Sequence, residues 1–235
     1  MSQMTEAPAA PPPDMYARRL ANKDAIKRKR LLQLVQAALK PLKKNGFNAA
    51  CFENREEARK AILDLVPPEA TIGVGGSMTI REIGVLDDLA QRGHFIQNHW
   101  QAGLSQEALL AIRRAQLTCD VFLTSTNAVT LRGQIVSTDG VGNRVCAMTF
   151  GPKRVIIIAG ANKVVRDLEA AFRRIHDVCA PLALGESGDP IPCVKTGVCT
   201  DCDSPGRACR ATIILDRRPM LTDTHVLLVG EELGF

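Results

Sequence analysis

Four cysteines fall between residues 193 and 209 of this 235-residue chain, spaced C-x5-C-x2-C-x6-C at Cys193, Cys199, Cys202 and Cys209. A C-x2-C pair brings two sulfurs onto one ion, and an outer pair can close a tetrahedral S4 site for zinc or an iron–sulfur cluster. Gly197, Pro205 and Gly206 supply the sharp turns such a loop needs. The spacing matches neither the ferredoxin run nor the paired C-x2-C ribbon, so unligated or redox-labile thiols are the competing reading.

Three glycine-bearing turns offer different chemistry. In "IGVGGSMTIREIG", Gly73, Gly75 and Gly76 allow close backbone approach, and Ser77 can cap the helix that follows. A helix start favours phosphate or carboxylate, with Thr79 and Glu82 close to Ser77 on that helix. The competing reading is a tight structural turn with a solvated Glu82. In "STDGVGNRV", Asp139 stands at a strand end beside Gly140 and Asn143, where a carboxylate can act as general base or bind a hydroxyl. A plain Asp-Gly turn explains it equally well. Asn127 belongs to the same neighbourhood. In "IIIAGANKVV", Asn162 can cap a helix and Lys163 can meet an anion or remain solvated. Glu82 and Asp139 are therefore the catalytic candidates. The other named residues of the three turns are the ligand-binding candidates.

The remaining reactive side chains offer less. His94, His99, His176 and His225 lack metal-ligand spacing, and Ser77 is not in a G-x-S-x-G elbow. Cys51, Cys119, Cys146 and Cys179 sit in or beside apolar runs and read as small buried residues.

The turns need a scaffold, and short β-rich runs alternate with helical ones from residue 47 onwards. "FNAACF", "ATIGV", "HFIQN", "CDVFLTS", "RVIIIAG", "ATIIL" and "HVLLVG" read as strands. "AVTLRGQIVSTDG" reads as a hairpin turning near Arg132-Gly133. "NREEARKAILDLV", "SQEALLAIRRAQ" and "KVVRDLEAAFRRIHDVC" read as helices. The expected fold is α/β, with a mostly parallel sheet covered by helices on both faces. Ligands of such sheets bind at the carboxyl ends of the strands, where all three turns lie.

Composition narrows the function. The expected organisation is a disordered, proline-rich leader over 1–17, a basic amphipathic helix over 18–46 and an α/β domain over 47–235, with a Cys-rich insert at 190–210. Residues 18–44 hold ten Lys or Arg and one acidic residue, while the whole chain nets only +5, so the body is slightly acidic. That charge pattern and the 4% aromatic content disfavour nucleic acid. The basic helix is either a solvated face or a partner-docking surface. No apolar run reaches membrane-spanning length and the leader has no signal-peptide core, so the expected location is cytoplasmic.

The ordered set "GVGGSMTIREIG", "STNAVTLRGQIVSTDGVGNRV", "GPKRVIIIAGANKVVRDLEAAFRRI", "TGVCTDCDSPGRACR" and "HVLLVGEELGF" resembles the LUD-domain family of the lactate utilisation protein C type. The resemblance spans about 47–235. It implies a fold similar to the sugar-phosphate isomerase and CoA-transferase superfamily, whose members also use a Gly/Ser-rich turn and an acidic Asp-Gly loop. It further implies a role in oxidation of L-lactate to pyruvate beside an iron–sulfur subunit and an oxidoreductase subunit, with lactate or another phosphate or carboxylate compound as ligand. This chain lacks ferredoxin spacing and any flavin or nicotinamide fingerprint, so within such a complex it is expected not to carry the redox centre. A stand-alone enzyme acting on a sugar phosphate or CoA ester, and a ligand-sensing regulatory module, are the alternatives.

Overall fold

The computed structural model describes residues 13–185 and 191–235. Two helices, α1 (Pro13–Ala21) and α2 (Lys23–Lys44), precede strand β1 (Asn48–Phe52). Helix α3 (Arg55–Leu65), strand β2 (Ile72–Val74), helices α4 (Met78–Ile83) and α5 (Val85–Gln91), and strand β3 (Ile96–Asn98) follow. Next come α6 (Gln106–Ala115), β4 (Val121–Ser125), β5 (Ala128–Thr130), β6 (Ile135–Asp139), α7 (Asn143–Thr149), β7 (Arg154–Gly160) and β8 (Val164–Val165). Helices α8 (Leu168–Arg174) and α9 (Ala180–Leu184) are joined by a π-helical turn over Ile175–Cys179. Helix α10 (Pro192–Thr196) and strands β9 (Ala211–Leu215) and β10 (Asp223–Val229) come last.

The main sheet has the order β1-β10-β7-β4-β2-β3 and every pairing is parallel. Strand β7 shows why its strands read as unbroken apolar runs. Val155, Ile157 and Ala159 point into one cluster, with Val35, Ala38 and Leu42 of α2 and Met148 of α7. Ile156 and Ile158 point into the other, with Ala58 and Ile62 of α3, Ile80 of α4 and Leu89 of α5. Side chains alternate across a strand, so a sheet covered on both faces needs apolar residues at every position. The α/β architecture is the one the alternating pattern implies.

A second sheet, β8-β5-β6-β9, carries the hairpin. Its tight turn packs on α2: a Cβ at Gly133, whose φ is +77, would lie 2.5 Å from the Pro41 carbonyl carbon. Asn45 Nδ2 donates to Arg132 O and Gly133 O at 3.0 and 2.9 Å. Helix α2 is thus built into the body through its apolar stripe.

The structure corrects several sequence expectations. The chain is helical from Pro13, so the expected leader stops short of 17, and its residues 1–12 lie outside the described residues. The basic helix is two helices that meet at Asn22. The helix expected from Lys163 begins only at Leu168, because Val164 and Val165 pair with β5 and Asp167 Oδ1 accepts from Ala170 N–H as the cap. Cys119 and Cys179 are buried and Cys51 is half-buried, but Cys146 is exposed on the outer side of α7. Among the described residues, no helix is long and apolar enough to cross a membrane.

Candidate functional site

The parallel strands β2, β4 and β7 end in turns on one side of the main sheet, and β6 of the second sheet ends beside them. There they enclose a cavity of about 560 Å³ lined by Gly76, Ser77, Thr79, Ser125, Asn127, Asp139, Gly140, Arg144 and Lys163, among others. Three separate sequence turns converge on this one space.

The turn after β2 forms the first wall. Ser77 caps α4, its Oγ accepting from Ile80 N–H at 3.3 Å. Trp100 lies against Gly76, where a Cβ would come within 3.0 Å of the indole. Arg81 holds the indole in place, its guanidinium 3.8 Å from the ring centroid and its Nη2 donating to Asn98 Oδ1 at 3.1 Å. Gln116 Nε2 donates to Val74 O and Gln97 O, tying the ends of β2 and β3 together.

Arg144 organises the second wall. Its guanidinium donates to Asp139 Oδ1, Ser125 O, Asn127 Oδ1 and Thr138 O at 2.8, 3.1, 2.9 and 2.9 Å. The other Asp139 oxygen accepts from Val145 N–H at 3.0 Å. Both Asp139 oxygens are therefore engaged, and the Asp139–Arg144 pair is a nearly buried, hydrogen-bonded unit. Asn127 Oδ1 also accepts from Thr138 N–H, which clips the β4 end to β6.

Lys163 is 4% exposed, and its Nζ donates to Thr79 Oγ1 and Ser125 Oγ at 2.9 Å each. No carboxylate pairs with it among the described residues. Burial, followed by the positive charges of Arg174 and Arg144, pushes its pKa down to about 7, against a weaker upward pull from Cys179 and Glu82. The wall opposite is apolar and comes from the π-helical turn and α9, through Ile175, Leu182 and Leu184, with Phe235 beside them. A π turn is a rare local widening of a helix and often marks a functional site.

The matched family model is that of the LUD domain, over residues 35–229. This chain belongs to the LUD-domain family. A solved structure of a DUF162 family protein from Deinococcus radiodurans is 14% identical, covering 86% of this chain and 98% of that one at a TM-score of 0.47. Ribose 5-phosphate isomerase from Plasmodium falciparum is 18% identical over 48% of this chain and 52% of its own, at a TM-score of 0.31. Ribose 5-phosphate isomerase A from Neisseria gonorrhoeae is 18% identical over 48% and 53%, also at 0.31. No curated protein matches.

In this LUD domain the predicted site residues divide into two sets. Gly76, Ser77, Thr79, Asn127, Asp139, Gly140 and Lys163 line the cavity together. Gly73 lies in β2, where a Cβ would collide with Cys119 Sγ at 2.8 Å, and Gly75 faces Thr124. Asn143 opens α7 and does not line the cavity. Asn162 caps no helix; it clamps the segment after β10, accepting from Leu233 N–H at 3.1 Å and donating to Gly234 O at 3.0 Å. Glu82 is exposed outside the cavity, accepting from Gly234 N–H at 2.9 Å. Arg144, Ser125 and Trp100 escaped the sequence reading. Trp100, the chain's single tryptophan at the end of a strand, was the one sequence signal available for them.

The cysteine segment borders this cavity. Cys193, Cys199, Cys202 and Cys209 line one small adjoining space with His176, and Cys209 also lines the main cavity. Burial raises the Cys209 pKa, as do the other three cysteines, against the lowering effect of Arg207. Arg207 shapes the loop by donating to Cys209 O and Cys202 O at 2.9 Å each. Among the described residues, no three or more His, Cys, Asp or Glu side chains are grouped so as to hold a metal ion.

Proposed function

We propose that this chain is a component of a lactate-utilisation system and that its cavity binds a small anionic ligand of the lactate–pyruvate class, working beside iron–sulfur and oxidoreductase subunits. Membership of the LUD family supports the context. One observation supports the ligand class: the cavity floor is net cationic. Asp139, the side-chain carboxylate among the described lining residues, is neutralised by Arg144, while Lys163 and Arg174 have no acidic partner among the described residues: Arg174 supplies a permanent positive charge beside the floor, and Lys163 adds its own below about pH 7. A carboxylate entering this low-dielectric space gains more than it would in water. The test is growth on L-lactate after deletion of the gene. Loss of growth, restored by the intact gene, is expected; normal growth would overturn the proposal.

A second reading is a stand-alone enzyme on a longer anion, a CoA ester or a sugar phosphate. It draws support from the cavity volume of about 560 Å³ and from the apolar wall of Ile175, Leu182 and Leu184, which a three-carbon acid leaves unfilled. Turnover of such a compound by the isolated chain, lost in Asp139→Asn, would favour it.

Zinc or an iron–sulfur cluster at Cys193, Cys199, Cys202 and Cys209 is also proposed, on their C-x5-C-x2-C-x6-C spacing and their place around one small space; binding would have to draw together thiols that are not grouped for a metal ion as they stand. Metal analysis and an absorption spectrum of protein purified without oxygen test it. Bound zinc or iron supports it, and protein free of both metals would overturn it.

A further inference from the structure

We propose that Lys163 is a carbonyl-capturing amine: its Nζ condenses with the carbonyl carbon of a small 2-oxo acid in the cavity to form an imine. This rests on the reading that the cavity takes a small carboxylate, and it adds a covalent step to that reading.

The hydrogen-bond arrangement carries the argument. Thr79 Oγ1 donates its own hydrogen to Leu233 O, and Ser125 Oγ donates to Thr126 O. Both hydroxyl oxygens are therefore left to accept, and both accept from Lys163 Nζ. A neutral amine has two N–H groups and one lone pair. Two acceptors use both N–H groups, and the remaining position on nitrogen is the lone pair, on a residue that lines the cavity. In the protonated form the third N–H would face the cavity and could meet a ligand carboxylate; the neutral form leaves the lone pair there. A lysine that merely neutralised a structural carboxylate would have that carboxylate beside it, and none is there.

The surroundings favour the same state. Desolvation and neighbouring cations are a recognised way to activate a lysine nucleophile. With its pKa pushed down to about 7, the share of neutral amine at pH 7 is roughly a thousandfold above that of an exposed lysine. The positive charges of Arg144 and Arg174 that disfavour the ammonium also favour the carboxylate of the incoming oxo acid.

The step balances without an oxidant. The nitrogen lone pair forms the N–C bond while the carbonyl π pair moves to oxygen. That oxygen takes up the two amine hydrogens and leaves as water, leaving C=N. The hydroxyls of Thr79 and Ser125 keep their own hydrogens on Leu233 O and Thr126 O, so they position the amine, and the departing oxygen takes the amine hydrogens directly or through solvent.

The test is to treat the full chain with pyruvate and sodium borohydride, then locate the reduced adduct by peptide mass. Lactate, which has a hydroxyl where pyruvate has a carbonyl, serves as control, and fluorescence of Trp100 on the cavity wall reports binding independently. The expected result is an adduct concentrated on the Lys163 peptide with pyruvate and none with lactate. The location is read in the unaltered protein, so no variant has to fold. Binding reported by Trp100 without an adduct at Lys163 would overturn the imine and leave the carboxylate reading standing. An adduct spread evenly over surface lysines would do the same. Neither binding nor adduct would overturn both.

Discussion

Replacing Lys163 by Met should stabilise the protein at neutral pH and destabilise it in alkali. The side chain is similar in length and fits the same buried channel, so what changes is the titrating group and two hydrogen bonds. In the unfolded chain the amine titrates near its ordinary 10.5; in the fold it titrates at about 7. Between those values the unfolded chain holds a proton that the folded chain does not, so stability rises with pH across this window. Each pH step costs the folded state about 1.36 kcal/mol, which reaches about 5 kcal/mol at pH 7 and below. Above pH 10.5 the penalty is gone. Losing the bonds to Thr79 and Ser125 costs the variant about 2 kcal/mol at every pH, since both hydroxyls keep their own acceptors. At pH 7 the variant should therefore be more stable by about 3 kcal/mol, and above pH 10.5 less stable by about 2, with a crossover near pH 9. Urea unfolding of both proteins from pH 7 to pH 10.5 reads this directly. A variant less stable at pH 7, or a difference that does not change with pH, would refute the account of Lys163 as a buried amine whose pKa the fold lowers.

Arg144→Met should lower stability by about 3–5 kcal/mol, because it leaves the Asp139 carboxylate nearly buried and unpaired. Adding Asp139→Asn should recover part of the loss in urea unfolding; no recovery would mean that the pair is not coupled. Gly133→Ala should cost about 2–3 kcal/mol, since its φ of +77 and the Pro41 carbonyl leave no room for a Cβ. A urea midpoint equal to the parent's would show that the hairpin does not press on α2. In the native protein at pH 8, a thiol reagent should modify exposed Cys146 at once and spare Cys119, whose pKa burial pushes up to about 11. Rapid native labelling of Cys119 would contradict its burial.

Much of the scaffold was legible because the local signals agree. The strand "RVIIIAG" is apolar throughout because both its faces are covered, and Ser77 and Ser105 stand as caps where their helices begin. The three glycine turns were legible as a set, since strand ends in a parallel sheet share one side. What stayed hidden depends on contacts distant in sequence. Asn162 looked like a helix cap, but its partners are Leu233 and Gly234, some 70 positions away. Glu82 lies on the right helix, yet Gly234 N–H holds it outside the cavity. Arg144 reads as an ordinary helix residue until the ends of β4 and β6 supply its four acceptors. The strand Val164–Val165 is two residues long, and only its pairing with β5 keeps it from joining the helix that follows.

The central claim is that the cavity holds a small carboxylate on a cationic floor. Titrating L-lactate while following Trp100, the chain's one tryptophan and part of the cavity wall, tests it most directly. The account predicts a saturable change whose affinity falls as pH rises through about 7, where Lys163 loses its charge. A fluorescence signal that never saturates, or an affinity that does not change across that pH range, would contradict it.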